Sequence, residues 1–564
     1  MRSVIFAVLM FVISCSASKE PAPVADPETA RDLAAGKIVG FSNETGAHVW
    51  RGLPFAAPPV GELRWRAPRP AVAWQGERQA LEFGAECTQL TNVYSVGEKQ
   101  GTIVGSEDCL YLNVFAPSMS AQEAAAANFP VMVWVHGGGN VWGSAAPYDF
   151  SALAARENVI VLTVQYRLGP FGWFAYERLA EGSDLQADQS ANFGTLDLIA
   201  ALEWVQENAS AFGGDPARVT VFGESAGGHN TVALLASPMA KGLFHRAIVQ
   251  SGSFDSFSFK EAWEGELSAN PAKSILKTLG TEDPSALRQI SAEDVFAAYG
   301  AAGTGGFLEL PRIIEDGVAL PEGPLRGAFR STENFNAVPI ITGTNRDEMK
   351  LFQILDPAYT RRFFGTLVQA KDPEMYQATS DYQSRLWRVR AVDWPADQMA
   401  GAGHTEVYAY RFDWDDAGSI LFSDFEFLFG ATHSVEIPFI TGDFEFFGPL
   451  DRFLFRKSNE ADRLALSATM MAYWASFARD GKPSAPGEAD WQAYTEGPAP
   501  FVLRLDAPSD GGVEAIKEGD SFERLFSDLR GDSGLSSDEQ CQIVDGMAVW
   551  VPQEEAQYKE LSSC

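Results

Sequence analysis

Basic side chains are scarce in this 564-residue chain: 43 Lys and Arg stand against 75 Asp and Glu, giving a formal net charge of −32 and a pI near 4.6. The imbalance argues against a nucleic-acid partner, because binding a polyanion depends on clustered cations that displace counterions. It also disfavours anionic small molecules relative to neutral or cationic ones, over the roughly 10 Å within which charge is felt in physiological salt. Cysteine is sparse too, at five residues, and histidine numbers only six, so any general base has few candidates. No internal repeat is present, which argues against solenoid and propeller architectures. What is abundant is ordinary core material: 46% of residues are hydrophobic and 12% aromatic, against 21% charged, a composition that folds and buries a large core.

The N-terminus carries export signals. Arg2 precedes the apolar stretch Val4 to Ile13, too short to cross a bilayer as a helix and ordered like a signal peptide. It ends in Val12-Ile13-Ser14-Cys15, which resembles the bacterial lipobox, so Cys15 is expected to become the lipidated N-terminus of an envelope protein anchored to a membrane. Ser16 to Glu28, rich in Ser, Pro and Ala, reads as an extended tether outside the fold. The expected division is a signal peptide at 1–14, a lipidated cysteine and tether at 15–35, and one domain at 36–564. With Cys15 set aside, Cys87, Cys109, Cys541 and Cys564 form an even set in an exported chain. Two disulfides are expected; of the possible pairings, proximity favours Cys87 with Cys109 and Cys541 with Cys564.

Beyond residue 36 the pattern is globular. Val39-Gly40 and Val49 to Gly52 read as early strands, and Pro54 to Pro70 as a proline-rich surface run. Leu110 to Val114, Val131 to Val135, Val159 to Val164 and Val219 to Phe222 are short apolar runs bounded by turn residues, as strands buried on both faces should be. Apolar residues from Gly194 to Asn208, and again from Glu460 to Arg479, recur at helical spacing. Residues 254–335 look helical and loop-rich, an insertion placed to cover the top edge of the sheet, and strand signals return at Val338 to Gly343 and Val407 to Phe412. Strands alternating with helices imply an α/β fold with a mostly parallel sheet covered on both faces.

The chemistry centres on Gly223-Glu224-Ser225-Ala226-Gly227, which follows a strand and precedes a helix-compatible segment. A sharp strand-to-helix turn there would expose the Ser225 hydroxyl, with small residues on either side to avoid clashes and helix amides close by. Serine is a poor nucleophile until a base takes its proton. In folds with this turn the acid and then the histidine follow the serine in the chain, leaving His245, His404 and His433. His245 comes too soon after the turn to leave room for the acid. His404 directly precedes a strand, and His433, in the turn-like run Gly430-Ala431-Thr432-His433-Ser434, is favoured. The acid should follow a sheet strand, and either Asp347 or Glu348 satisfies that spacing. His136-Gly137-Gly138-Gly139, also after a strand, offers backbone amides for an oxyanion, since glycines allow close approach.

Together these motifs resemble type-B carboxylesterases, the cholinesterase-like branch of the α/β-hydrolases. The resemblance runs from about Gly36 to Cys541 and includes Trp50 to Ala56, Ser106 to Val114, Phe212 to Pro216, and Glu436-Ile437-Pro438-Phe439. It implies an α/β-hydrolase fold with helical insertions over the active site, and a serine esterase that acts on carboxylic esters through an acyl-enzyme; the acidic charge balance points to a small, neutral ester as the substrate. By the same resemblance the acid is Glu348, the base His433, and the oxyanion donors are the amides of Gly138, Gly139 and Ala226. Cys87 and Cys109 fall where the family closes a surface loop. No metal or organic cofactor is implied. A thioesterase, amidase or lactonase would use the same triad, and a non-catalytic surface binding protein could share the scaffold. The Cys87 to Cys109 loop holds Tyr94 but no Trp, so the aromatic wall that grips quaternary ammonium groups is missing and choline esters are disfavoured. Asn140 stands where an aromatic residue is frequent and Ser434 where glycine is usual; both bear on the shape of the acyl pocket.

Overall fold

A computed structural model of the chain describes residues 22–92, 99–264, 271–300, 313–363, 367–497, 499–551 and 554–564. Cys15, the apolar leader and Tyr94 lie outside the described residues. The main sheet contains β1 (Phe41–Ser42), β2 (Ala47–Pro54), β3 (Tyr111–Pro117), β4 (Phe129–Val135), β5 (Ile160–Val164), β6 (Gly214–Glu224), β7 (Arg246–Gln250), β8 (Ile340–Asn345), β9 (Val407–Phe412), β10 (Phe501–Leu505) and β11 (Glu514–Lys517). Its spatial order is β11-β10-β9-β8-β7-β6-β4-β5-β3-β2-β1. From β10 to β5 every neighbouring pair is parallel. The remaining strands, β3, β2 and β1 at one edge and β11 at the other, add antiparallel. This is the mostly parallel α/β-hydrolase sheet with helices on both faces.

Strand alternation sorts the core into two layers. Val131, Val133 and Val135 of β4 face one way and join Val219, Val221 and Val249 beneath helices α1 (Phe193–Asn208) and α2 (Ala226–Ala236). Met132 and Trp134 face the other way, with Phe222, Ile248, Ile341 and Tyr410, against the long helix α4 (Glu460–Asp480). Helix α3 (Pro373–Arg388) packs instead on a separate cluster with α5 (Ser537–Trp550) and α6 (Glu555–Ser562), through Tyr382 and Leu386 on one side and Ile543, Met547 and Tyr558 on the other. Each large apolar side chain withdrawn from water in these layers contributes about 1.5–3 kcal/mol.

Both disulfides are present: Cys87–Cys109, with a sequence separation of 22, and Cys541–Cys564, with a separation of 23. Closing loops of that length stabilises the fold by roughly 3 kcal/mol each through lost unfolded-state entropy. The second bridge joins α5 to the chain end just beyond α6.

Two expectations drawn from proline content are corrected. Residues 22–35, read as tether, are part of the body: Arg31–Leu33 pairs antiparallel with Gly36–Val39. Thr29 and Arg31 are buried, the Trp50 indole donates to the Thr29 carbonyl at 2.9 Å, and the Arg31 guanidinium lies 5.1 Å over the Trp50 ring while donating to Met119 O. Pro27 opens a single helical turn capped by Asp26 rather than a flexible linker. Likewise the run from Pro54 to Pro70 is not superficial. Trp65 is buried, stacks on Phe171 and Phe174, and donates to Pro170 O at 2.7 Å, so the prolines here route a chain across the core. Among the described residues of 254–335, short helices such as Ala272–Leu279 and Ala292–Tyr299 alternate with loops, as expected, and one parallel strand pair joins Ser256–Ser258 to Ile313–Glu315.

Candidate active site

The functional groups gather at the carboxyl ends of β4, β6, β7 and β8, where an open parallel sheet places its ligands. β6 ends at Glu224 and α2 begins at Ala226, so Ser225 alone makes the turn, at φ 58° and ψ −121°. A non-glycine residue holds such a conformation only when its surroundings impose it. The imposition is steric. A Cβ on Gly223 would lie 2.6 Å from Val135 O, and one on Gly227 only 1.9 Å from the same oxygen, so strand and helix close on each other at a distance only glycine permits. The Ser225 amide donates to Gln250 O at 2.9 Å, tying the turn to the end of β7.

Beside it, the loop after β4 brings backbone amides close. Gly138 and Gly139 have φ of 100° and 62°, and a Cβ on Gly138 would sit 2.0 Å from Trp142 O. The amides of Val141 and Trp142 both donate to Gly138 O, curling the loop around its own glycine. Among the described residues, the amides of Gly138, Gly139 and Ala226 donate to no protein acceptor. Asn140 is buried at φ 61°, a conformation asparagine tolerates, and its Oδ1 accepts from Asn230 Nδ2 at 2.8 Å. It therefore fixes the loop from within. His136, stacked on Tyr166 at 4.4 Å, is driven down to about 4 by burial and stays neutral.

Of the three histidines that follow the turn at a distance, His433 is the one held against the residue that precedes Ser225. Its Nδ1 is 2.5 Å from Glu348 Oε2 and its Nε2 3.1 Å from Oε1 of Glu224, the residue before Ser225. Trp387 and Phe352 lie against its ring, with centroids at 4.8 and 5.5 Å, and give the site an apolar wall. His404 directs Nε2 to Val338 O, and His245 directs Nδ1 to the Val219 amide, so both serve the sheet. The adjacent carboxylates Asp347 and Glu348 part company. Asp347 pairs with Arg346 and Lys350 and accepts from the Ala431 amide, whereas Glu348 is fully buried against His433. Glu348 Oε1 accepts from the Asn345 amide at 2.8 Å and from the Ser251 hydroxyl at 2.5 Å.

Three buried glutamates surround the imidazole. Burial alone would lower the basicity of His433, but the charges of Glu224 and Glu348, with the hydrogen bond to Glu348, outweigh it and lift the ring to about 9. Glu436 accepts from Asn345 Nδ2 at 2.7 Å and Gln250 Nε2 at 3.1 Å; burial and the neighbouring glutamates push it up to about 8. Glu224 is raised as well, chiefly by burial, against the pull of His433 and of the Ser434 hydroxyl, which donates to Glu224 Oε1 at 2.7 Å. Sequence reasoning assigned no role to Glu224, Glu436, Gln250 or Ser251, and read Ser434 for pocket shape, whereas its hydroxyl turns to the carboxylate beside the base. Gln250 and Ser251 could have been flagged as polar residues at the carboxyl end of a buried strand.

The carboxylesterase family profile matches residues 27–389 and 366–518. A para-nitrobenzyl esterase of Bacillus subtilis is 35% identical over 87% of this chain and 97% of its own length. The human cocaine esterase is 32% identical over 88% of this chain and 90% of its own. Among solved structures, a carboxylesterase of Geobacillus stearothermophilus superposes with a TM-score of 0.69 at 30% identity, covering 88% of this chain and 99% of that one.

Proposed function

The chain belongs to the carboxylesterase family and is a carboxylic ester hydrolase, and from that premise we propose that it works through an acyl-enzyme on Ser225, with His433 as base and Glu348 as its orienting acid. Ser225 Oγ attacks the ester carbonyl carbon while His433 Nε2 takes the hydroxyl proton. The carbonyl oxygen becomes an oxyanion, met by the amides of Gly138, Gly139 and Ala226. Nε2 then gives its proton to the alkoxide oxygen, the alcohol departs, and Ser225 carries the acyl group. Water attacks that ester, Nε2 takes its proton and returns it to Ser225, and the carboxylic acid leaves. Glu348 holds the Nδ1 proton throughout, fixing the tautomer that leaves Nε2 free. The observation that carries this reading is the 2.5 Å contact of His433 Nδ1 with Glu348 Oε2, formed beside the strained turn at Ser225.

The apolar wall of Trp387 and Phe352 and the acidic molecule favour neutral esters. A thioester is the second reading, because a relative from Anas platyrhynchos described as a fatty acyl-CoA hydrolase is 35% identical over 80% of this chain; the negative field of this protein opposes an anionic CoA ester. We further propose export with a lipid anchor at Cys15, supported by the leader Val4 to Ile13 and the lipobox-like Val12 to Cys15. Mass spectrometry of the mature N-terminus should show an acylated cysteine, and an unmodified residue or another cleavage site refutes the anchor. Ser225→Ala should lose at least about a thousandfold in kcat on p-nitrophenyl butyrate with its Tm unchanged. Unchanged turnover refutes the mechanism.

A further inference from the structure

Ser434 is a non-glycine residue at φ 68°, immediately after His433. Glycine adopts that backbone without strain and serine does not, so something specific holds serine there. The hydrogen bond from Ser434 Oγ to Glu224 Oε1, 2.7 Å long, is the only side-chain role the hydroxyl has among the described residues. The same Oε1 is the atom 3.1 Å from His433 Nε2, the nitrogen that moves the proton in the reading above. Ser434, a glutamate oxygen and the imidazole thus form one line at the reacting edge of the base. The other edge is occupied by Glu348, itself fixed by Ser251 and the Asn345 amide.

We propose that Ser434 is a positioning residue, acting through Glu224: its hydroxyl holds Glu224 Oε1 ionised and aimed at Nε2, and thereby sets the pH above which His433 can serve as base. The inference rests on the catalytic reading of His433 and deepens it. A hydroxyl that donates to a carboxylate favours the charged form of that carboxylate. A charged Glu224 favours the imidazolium, and its influence on His433 is the strongest of those that raise the ring. The groups facing this line are Glu224 from β6, Glu348 from the turn after β8, Glu436 beyond His433, and the buried phenols Tyr148, Tyr166 and Tyr410, which sense the same carboxylates. No cation among them competes with His433. Glu224, Glu436 and His433 titrate together, so the experiment reads the macroscopic acidic limb of the activity rather than one microscopic constant.

The sign follows directly. Removing the Ser434 hydroxyl makes Glu224 easier to protonate, the imidazolium loses that countercharge, and neutral His433 persists to lower pH. In Ser434→Ala and Ser434→Gly the acidic limb of the kcat/KM profile for p-nitrophenyl acetate should move down by roughly half a unit, the share of a charge-assisted hydrogen bond passed on to the neighbour. The plateau kcat should fall about three- to tenfold as the imidazolium formed in the transition state loses support. The two variants should differ in Tm, glycine being the more stable because it relieves the positive φ, while sharing the pH shift. In the Glu224→Gln background, Ser434→Ala should move the limb no further. Where turnover is too low to read, the 13Cε1 titration of His433, one of only six histidines, carries the same comparison. Profiles that coincide with the parent overturn the proposal and leave the hydroxyl a purely structural partner of Glu224, as does a shift that persists without the Glu224 charge. Loss of the catalytic reading shows separately, as full activity in Ser225→Ala.

Discussion

Ser225 and His433 meet at one site but are positioned by different physics. The turn at Ser225 is fixed by close approach: Gly223 and Gly227 leave no room for a Cβ against Val135 O, and the backbone has one way through. The loop at His433 is fixed by charge and hydrogen bonds, with Glu224, Glu348 and Glu436 buried around the ring and Asn345, Gln250, Ser251 and Ser434 donating to them. A sterically fixed element fails all at once when crowded. An electrostatically fixed one should keep its shape and change its titration.

The largest effect should come from crowding the turn. Gly227→Ala places a Cβ 1.9 Å from Val135 O, against backbone that cannot move without parting β4 from α2. Soluble folded protein should be lost or its Tm should fall by more than ten degrees in calorimetry, since such overpacking costs several kcal/mol. A variant with the parent's Tm would show that the turn is not sterically set. Next, Glu348→Gln removes the charge opposite Nδ1 while keeping its shape, and kcat/KM should fall by roughly a thousandfold with the fold intact, as loss of the orienting acid does in such triads. The smallest change should be Asp347→Asn, one residue away. It leaves Lys350 buried beside a neutral partner, so stability should drop by about 2–3 kcal/mol while kcat/KM stays within a few-fold. Burial works against Asp347 ionising, yet Lys350, Arg346 and the Ala431 amide hold its carboxyl below the usual range. Its contribution to stability is therefore present above the ordinary aspartate pKa and lost as pH falls through the lowered value, and the Tm gap between parent and Asp347→Asn should narrow in acid. Equal kinetic losses at 347 and 348 would erase the division of labour between them.

The same division explains what could be read in the sequence. The parallel sheet, the helices at 193–208 and 460–480 and the glycines of the turn follow from apolar periodicity and from residues chosen for size, both of which are local. Asp347 and Glu348 could not be separated that way, since adjacent carboxylates share composition and spacing, and only the path of the chain after Asn345 sends one to Lys350 and the other to His433. Ser251 and Ser434 stand out locally only as a polar residue at the end of a buried strand and as a serine after the histidine; nothing local names their partners, which lie 97 and 210 residues away in the chain. Proline misled in a similar manner at residues 22–35 and 54–70, where composition suggested a tether and a surface run but Trp50 and Trp65 recruit the chain into the core.

The central claim is that Ser225 carries the acyl group. Treating the protein with diethyl p-nitrophenyl phosphate, then mapping the adduct by peptide mass spectrometry, tests it most directly, because the reagent phosphorylates an activated serine in a single step. One equivalent of p-nitrophenolate should be released, activity should vanish in proportion, and the diethylphosphoryl group should sit on Ser225. Complete inhibition with Ser225 unmodified, or an adduct on another residue, would contradict the account.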